Sequence, residues 1–175
     1  MALTANTVPS QVPDLACPYD AQLAFTNAQV IAATGYLNNL NSGQIDFGGA
    51  NPSSGAGRKE GIWTIDVTNV DFSSADETYK FHLFGSNDVA FGNGNVELLA
   101  FHDLAAVTAG RQVATILGAT PTIPPSGLAG TIFRIPFMTL MQRIVYRYVR
   151  SYVVIAGTTP TVTVTSWLSR GEIKM

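Results

Sequence analysis

The chain has 175 residues, of which 46% are hydrophobic and only 13% are charged, and its formal net charge is −2. A chain of this length and apolar content can bury a core, so disorder of the whole chain is excluded. Because few charges are left to cover the surface, we expect part of that surface to be covered by another protein.

The N-terminal segment does not fit a secreted or membrane protein. Residues 1–19 carry no Lys or Arg and no sustained apolar run, which is not the pattern of a signal peptide. No stretch approaches the roughly 18 apolar residues of a membrane helix. A single cysteine, Cys17, has no partner for an internal disulfide, and no base lies near it in sequence to make it a nucleophile. We therefore expect a protein made and folded in the cytoplasm of the cell that produces it, with no membrane partner.

Charge is distributed unevenly along the chain. Residues 1–103 hold eleven acids and three bases, whereas residues 104–175 hold seven bases and one acid. One interpretation is that the fold pairs the acidic half with the basic half. The other is that arginines of the basic half contact carboxylates of a neighbouring subunit, since Arg suits planar pairing at interfaces. Only three lysines and no basic cluster are present, so we expect no nucleic-acid partner.

The first 61 residues contain few regular elements. Residues 1–20 include three prolines and little periodicity, which predicts an extended arm that precedes one domain over residues 21–175. Residues 21–33 fit either a strand or a short helix, and residues 45–47 form a short strand at most. The stretch GGANPSSGAGRKEG, residues 48–61, predicts a long loop.

From Ile62 onward the sequence alternates between apolar and polar residues, as half-buried strands do. Residues 85–95, dense in Gly and Asn, predict a turn. Pro136 has no N–H for a strand ladder, so we expect it at an edge, a bulge or a strand end. The strands predicted in this region cover residues 62–72, 78–84, 96–104, 112–117 and 131–138.

Two segments near the C-terminus give the clearest strand pattern. Residues 144–155 are rich in β-branched and aromatic residues, and residues 161–168 alternate Thr and Val. We expect the two to form a hairpin through the turn at residues 156–160. The whole pattern predicts an all-β fold, an antiparallel sandwich or jelly-roll-like barrel with long loops at residues 48–61 and 118–130.

The sequence carries little catalytic or metal-binding pattern. The two histidines, His82 and His102, show no zinc-site spacing, and only a meeting in space with Asp103 would let them hold a metal. The loop at residues 48–61 lacks the Lys-Ser/Thr of a phosphate-binding loop, and Asp88 with Asn93 and Asn95 fits a turn better than a cation site. We predict no enzyme, no catalytic residue, no cofactor and no metal.

Several short pieces, in this order, resemble the capsid cement, or decoration, proteins of tailed bacteriophages. These are AQVI at residues 28–31, IDFGG at 45–49, the strand of Trp63, YKF at 79–81 ending in GSND at 85–88, and YVRSYV at 148–153. The resemblance covers most of residues 22–170 as an ordering of elements. It implies a small β-barrel or jelly-roll subunit that binds the outside of an icosahedral head as a homotrimer and ties neighbouring major capsid proteins together.

This resemblance, with the apolar and low-charge sequence, suggests two sets of contact residues. For subunit packing we predict Tyr146, Arg147, Tyr148, Arg150 and Tyr152. For contact with the major capsid protein we predict the arm and the long loops, represented by Pro9, Pro13, Pro18, Arg58 and Lys59.

Two other functions remain open at this point. A carbohydrate- or receptor-binding jelly-roll module would need exposed aromatic platforms, whereas Trp63 and Trp167 stand in alternating strands and are expected in the core. A hydrolase or isomerase on a cupin-like barrel lacks a metal-ligand motif, and fold analogy alone is a poor argument for function.

Overall fold

The computed structural model describes residues 19–48, 58–74, 76–92, 96–105 and 131–169. Helical structure within these ranges is limited to two single 3₁₀ turns, Ala21–Leu23 and Asn41–Gly43, and no helix there is long and apolar enough to cross a membrane. The strands are β1 (Ala24–Ile31), β2 (Gly35–Tyr36), β3 (Gln44–Asp46), β4 (Glu60–Val70), β5 (Thr78–Ser86), β6 (Val96–Ala105), β7 (Thr131–Met138), β8 (Leu140–Met141), β9 (Ile144–Val145), β10 (Tyr148–Ala156) and β11 (Val162–Ser169).

The strands form two main antiparallel sheets. The four-stranded sheet has the order β1-β11-β4-β7, and the five-stranded sheet has the order β2-β10-β5-β6 with β3 also paired to β10. If β2 and β3 count as one interrupted strand and the small β8–β9 hairpin is set aside, the orders become 1-8-3-6 and 2-7-4-5. This is the strand order of a jelly roll, which confirms the all-β sandwich or jelly-roll-like prediction.

The core lies between the two sheets because strands of both sheets turn apolar side chains towards each other. Trp63 and Ile65 of β4, Phe81 of β5 and Val153 of β10 have no exposed surface. The Nε1–H of Trp63 donates to the Oγ of Ser166 on β11, at 2.8 Å, so the one polar atom of this buried ring is paired. The expectation that Trp63 is a core residue is confirmed. Trp167 is only 8% exposed but lies outside this core, with its ring edge-to-face against that of Tyr19 at 5.6 Å.

The ambiguous segment at residues 21–33 is a strand preceded by one turn. The carboxylate of Asp20 accepts the backbone N–H of Gln22 at 2.9 Å and caps the 3₁₀ turn. Most of the other strand predictions are confirmed to within two residues, and the one at residues 131–138 matches β7 at both ends. The strand predicted at residues 112–117 lies outside the described residues.

The hairpin predicted between residues 144–155 and 161–168 is wrong. β10 pairs with β5 and with β2 and β3, whereas β11 pairs with β1 and β4 in the other sheet. Both edges of each strand are therefore occupied, and the chain passes from one sheet to the other between them. The alternating pattern marked both strands correctly but contained nothing that specified their partners.

The crossing between β10 and β11 depends on a glycine in a crowded corner. Gly157 has a φ of +117°, and a Cβ built on it would lie 2.7 Å from the Cα of Glu77. Beside it, the carboxylate of Asp76 accepts hydrogen bonds from the backbone N–H and the Oγ1 of Thr158, both at 3.0 Å. The corner is thus held against the loop that leads into β5.

The prediction of one continuous strand over residues 144–155 is also wrong. A two-residue turn at Gln142 and Arg143 folds β9 back onto β8, and the backbone N–H of Tyr146 then donates to the carbonyl of Thr139 at 2.8 Å. These bonds end β9 before β10 begins. Tyr146, which follows β9 directly, is only 8% exposed.

Both outer edges of the four-stranded sheet are protected against pairing with another strand. Pro136 lies in the edge strand β7, opposite Ile62, as the sequence predicted. At the other edge, the side-chain amide of Asn39 accepts from the backbone N–H of Asn27 and donates to its carbonyl, each at 2.8 Å. These features disfavour strand addition at either edge.

Candidate interaction surface

The outward side of the five-stranded sheet, called the outer face below, carries an unusual share of aromatic side chains. In β10 the residues at 149, 151 and 153 point into the core, so Tyr148, Arg150 and Tyr152 point outward and are half-buried. The same alternation turns His82 and Phe84 of β5 outward.

Strand register brings four of these outward rings into one row. Tyr36 of β2 stands opposite Tyr152 of β10, Tyr152 stands opposite His82 of β5, and His82 stands opposite Phe101 of β6. With neighbouring strands about 4.8 Å apart, the row extends about 14 Å across the sheet. Directly opposed side chains on one face contact each other, so the row is a continuous strip.

The rings of the outer face contact one another, some edge-to-face and some stacked. Tyr36 and Tyr152 meet edge-to-face with ring centroids 4.9 Å apart, and His82 stacks nearly parallel on Phe84 at 5.5 Å. His82 also lies 5.1 Å from the ring of Phe101, and Phe84 lies 6.1 Å from that of Tyr152. Offset and edge-to-face pairs of this kind each add about 0.5–1.5 kcal/mol beyond area burial, which fixes the five rings in place.

The side chain of Arg150 packs against rings at one end of this network. Its guanidinium lies 5.1 Å from the ring centroid of Tyr36 and 4.7 Å from that of Phe91, in cation–π geometry. It also donates to the Oε1 of Gln44 at 3.1 Å and to the carbonyl of Val89 at 3.4 Å. Among the described residues, Arg150 has no carboxylate within salt-bridge distance, so its charge remains available to a partner.

Arg147 is engaged differently. Its Nε and Nη2 donate to the two carboxylate oxygens of Asp46, at 2.7 and 2.8 Å, and its guanidinium lies 4.8 Å from the ring centroid of Tyr148. The hydrogen bond from Arg147 lowers the pKa of Asp46 below its ordinary value. This pair joins the acidic and basic halves of the chain within one molecule.

His82 is the titratable ring of the network. Burial among the neighbouring rings lowers its pKa below 6.5, and this outweighs a hydrogen bond with the backbone of Lys80, which raises the pKa; the positive charge of Lys80 lowers it as well. The neutral imidazole is therefore favoured near pH 7, where the outer face keeps an uncharged aromatic centre.

The outer face leaves large apolar side chains in water. Tyr36 is 38% exposed, Phe101 44%, Leu98 41% and Val96 38%. Exposed apolar residues that lie singly need no explanation, but these four lie on one side of one sheet beside half-buried rings and Arg150. Tyr, Phe and Arg are enriched in the centres of protein–protein interfaces, so this surface can bind another protein.

The structure brings together most of the residues predicted for subunit packing. Tyr148, Arg150 and Tyr152 share the outer face, and Arg147 lies at its end against Tyr148. Tyr146 is separated from them because it is buried in the chain's own interior, so a substitution there would disturb folding first.

The residues predicted for capsid contact lie elsewhere. Arg58 is exposed and forms an ion pair with Glu60 at the start of β4, in the four-stranded sheet. Lys59 is half-buried, and its backbone N–H donates to the Oγ1 of Thr139 at 2.9 Å. Pro9, Pro13 and Pro18, with the rest of the arm up to residue 18, lie outside the described residues, as do most of the loop at 48–61 and the loop at 118–130.

The residues considered for metal binding do not form a centre. His82 points outward, whereas His102 of the neighbouring strand shares the inward side with Ala100 and Leu104, where its ring lies 4.1 Å from that of Phe133. Within the described ranges no group of three or more His, Cys, Asp or Glu residues is placed to hold a metal ion.

The carboxylate of Asp88 has a local role in its turn. It accepts the backbone N–H of Ala90 at 2.9 Å and that of Gly92 at 3.0 Å, as the turn interpretation expects. Asn93 and Asn95 lie outside the described residues, and so does Cys17.

Sequence reasoning missed six members of the outer face: Tyr36, His82, Phe84, Val96, Leu98 and Phe101. No strand was predicted at Tyr36, and for the others alternation separated the two sides of each strand but only the strand order reveals which side faces solvent. A β-bulge between the Leu83 and Phe84 pairings also shifts the register, so that Leu98 stands opposite Phe84.

Comparison with protein-family models, with curated proteins and with solved structures gives no match to this chain.

Proposed function

We propose that this chain is a non-enzymatic structural protein of a bacteriophage virion. In this proposal it binds the outside of an icosahedral head as a homotrimer and stabilises contacts between major capsid proteins. The observation that carries the proposal is the outer face, an aromatic and apolar strip with Arg150 at one end. The assignment to a phage head comes from the short sequence pieces, whose order along the chain resembles that of capsid cement proteins.

The proposal needs two separate surfaces, one for the neighbouring subunit and one for the shell. It assigns the outer face to the subunit contact, because Tyr148, Arg150 and Tyr152 lie there with exposed apolar neighbours. It assigns the start of β4, with Arg58 and Lys59, to the shell. The two surfaces belong to different sheets, so both can be occupied at once.

Three linked subunits also explain how weak individual contacts can suffice. When one subunit of a trimer has bound, the others bind at a high effective concentration, and the combined affinity exceeds that of one contact by orders of magnitude. A chain with few charges and modest shell contacts is compatible with this mode of binding.

Binding to purified capsids tests this function. The chain is mixed with expanded phage heads that lack decoration, and the heads are pelleted and analysed for bound protein. The proposal expects saturable binding at a fixed number of copies per head, and a matching rise in the temperature at which the heads break. Absence of saturable binding would remove the proposed function.

The alternative, a carbohydrate- or receptor-binding module, would use the same outer face. Trp63 and Trp167 are buried, so the exposed rings that the outer face offers to a sugar are those of Tyr36 and Phe101. A glycan array separates the two functions: reproducible binding that is lost when Tyr36 is replaced by Ala favours the alternative, and an array without hits favours the structural role.

A further inference from the structure

An apolar pocket lies where the ends of β4 and β7 of the four-stranded sheet meet Leu99 of β6 in the five-stranded sheet. Its volume is about 340 Å³, and its walls include Ile62, Leu99, Phe137, Met138 and Met141. Glu60 also lines it, and because Glu60 and Met138 are exposed, the pocket reaches the surface. The volume is at the lower end of the range for ligand sites, which leaves room for one large apolar side chain with its neighbouring atoms.

The wall that carries Met141 is held by a strained turn. Gln142 has a φ of 49° and Arg143 a φ of 71°, so both residues of the two-residue turn between β8 and β9 are left-handed without being glycine. Such turns favour Asn-Gly, and non-glycine residues in this conformation cost about 1–3 kcal/mol each. The turn places Met141 on the pocket and leaves Arg143 exposed two residues away.

Two arginines without an ion pair among the described residues lie within two positions, along the chain, of residues that line the pocket. The carboxylate of Glu60 is already held by Arg58. Arg143 and Arg134, which is exposed on β7 two residues before Pro136, have no carboxylate of the described residues within salt-bridge distance. A bound segment with carboxylates beside its apolar residue would complement these two arginines.

Strand addition is a poor way to bind at this place. Pro136 removes one N–H from the edge of β7, and the pocket is lined by the end of that strand. A partner is therefore held by an inserted side chain and by charge rather than by a backbone ladder.

We propose that this pocket anchors a segment of another protein in which one large apolar residue stands between acidic residues. The inference rests on the proposed function for the identity of that protein, which is then the major capsid protein. Arg58 and Lys59, predicted for this contact from the sequence, directly precede Glu60 at the pocket.

Methionine-methyl NMR on the full chain tests the pocket directly, since the chain has only four methionines and two of them line it. The signals of Met138 and Met141 are assigned with the variants Met138→Leu and Met141→Leu. Three acetylated and amidated peptides, GDFDG, GKFKG and GDADG, are titrated to several millimolar. We expect saturable shifts of both signals with GDFDG, and clearly weaker effects with GKFKG and GDADG.

Two charge variants sharpen the result. Arg143→Gln should weaken GDFDG binding by about twofold to fivefold, whereas Lys80→Gln, an exposed lysine on the other sheet, should leave it unchanged. Equal shifts with all three peptides, or no shift of Met138 and Met141, would overturn the proposal.

The outcome separates the pocket from the proposed function. If GDFDG binds but the wild-type chain does not bind capsids, the proposed function fails and the pocket remains a site for another acidic partner. If Arg143→Gln weakens peptide binding but leaves capsid binding unchanged, the pocket is not the shell contact and its assignment to the capsid protein is overturned.

Discussion

The guanidinium of Arg147 donates two parallel hydrogen bonds to the carboxylate of Asp46, at 2.7 and 2.8 Å, although 101 positions separate the two residues. The backbone reinforces this contact, because Asp46 on β3 stands opposite Tyr148 on β10, and the N–H of Phe47 donates to the carbonyl of Arg147 at 3.0 Å. At this point the acidic half of the chain pairs with the basic half within one molecule. Arg147 is thus paired within the chain, whereas Arg150 has no carboxylate of the described residues within salt-bridge distance.

Replacing Asp46 by Asn tests that pair. Both side chains are partly exposed, 28% for Arg147 and 42% for Asp46, so the expected loss in the free energy of unfolding at pH 7 is only about 0.5–1 kcal/mol. Because the folded state lowers the pKa of Asp46 below 3.8, the contribution is present above that pH and is lost as the pH falls through the lower, folded value.

Urea unfolding of wild type and Asp46→Asn from pH 7 to pH 2.5 measures how large the stability difference is and whether it shrinks as the pH falls. The two curves should converge in acid. A double-mutant cycle with Arg147→Gln isolates the coupling between the two side chains. A difference that stays constant down to the lowest pH would show that the carboxylate charge is not what matters.

Gly157 is predicted to be irreplaceable at the corner between β10 and β11. An Ala there would adopt a strained φ of +117° and place its Cβ 2.7 Å from the backbone of Glu77, so Gly157→Ala should lower the free energy of unfolding by more than about 1 kcal/mol. Gly35→Ala is the matched control, because its Cβ would meet only one atom, at 4.0 Å, and its φ is ordinary. Thermal unfolding of the two variants side by side gives the comparison. Equal losses of stability would contradict the proposed role of Gly157.

The individual strands could be read from the sequence because side-chain alternation is a local property. Thr131–Met138 was predicted at both ends, and period two separated the valines of β10 from its tyrosines without deciding which set faces the core. Each of these features depends only on whether a position faces the core, which a few neighbouring residues reveal.

Strand partners could not be read in the same way. The Thr/Val alternation of β11 would suit a hairpin with β10 as well as its observed place between β1 and β4. The row from Tyr36 to Phe101 needs four strands in one order and register, and the strands it joins lie up to 116 positions apart, from Tyr36 to Tyr152. The candidate surface was thus only partly predictable, through the residues of β10.

His82 should make the stability of the chain sensitive to mild acid. Burial lowers its pKa below 6.5, so the unfolded chain takes up the proton more readily, and stability is lost as the pH falls through 6.5 towards the folded value. The charged or titratable groups that face it are Lys80 on its own strand, Arg150 and Tyr152 on β10, and Asp103 on β6 opposite Lys80.

Replacing His82 by Phe should remove that component while keeping a ring against Phe84 and Phe101. Urea unfolding at pH 7.5 and pH 5.5, at one fixed protein concentration, gives the comparison. The wild type should lose more stability between the two values than His82→Phe does. An equal loss of stability in both proteins would show that a group other than His82 causes the sensitivity to acid.

A charged side chain introduced on the outer face should leave the single folded chain stable but should prevent its assembly into trimers. Leu98→Lys and Phe101→Lys alter side chains that are 41% and 44% exposed, so each should change the free energy of unfolding of the single chain little. In the assembly each would bury an unpaired charge and should shift the chain from trimer towards monomer. Val30→Lys, at a residue 67% exposed on β1 of the other sheet, is the control. Sedimentation velocity on the three variants would refute the assignment if Val30→Lys dissociated the assembly and the other two did not.

The mass of the wild-type chain in solution tests the central claim most directly. Native mass spectrometry or sedimentation equilibrium at micromolar concentration should give three times the chain mass of 18.6 kDa. A clean monomer over the whole accessible concentration range would contradict the account, because the outer face would then have no second copy to cover it.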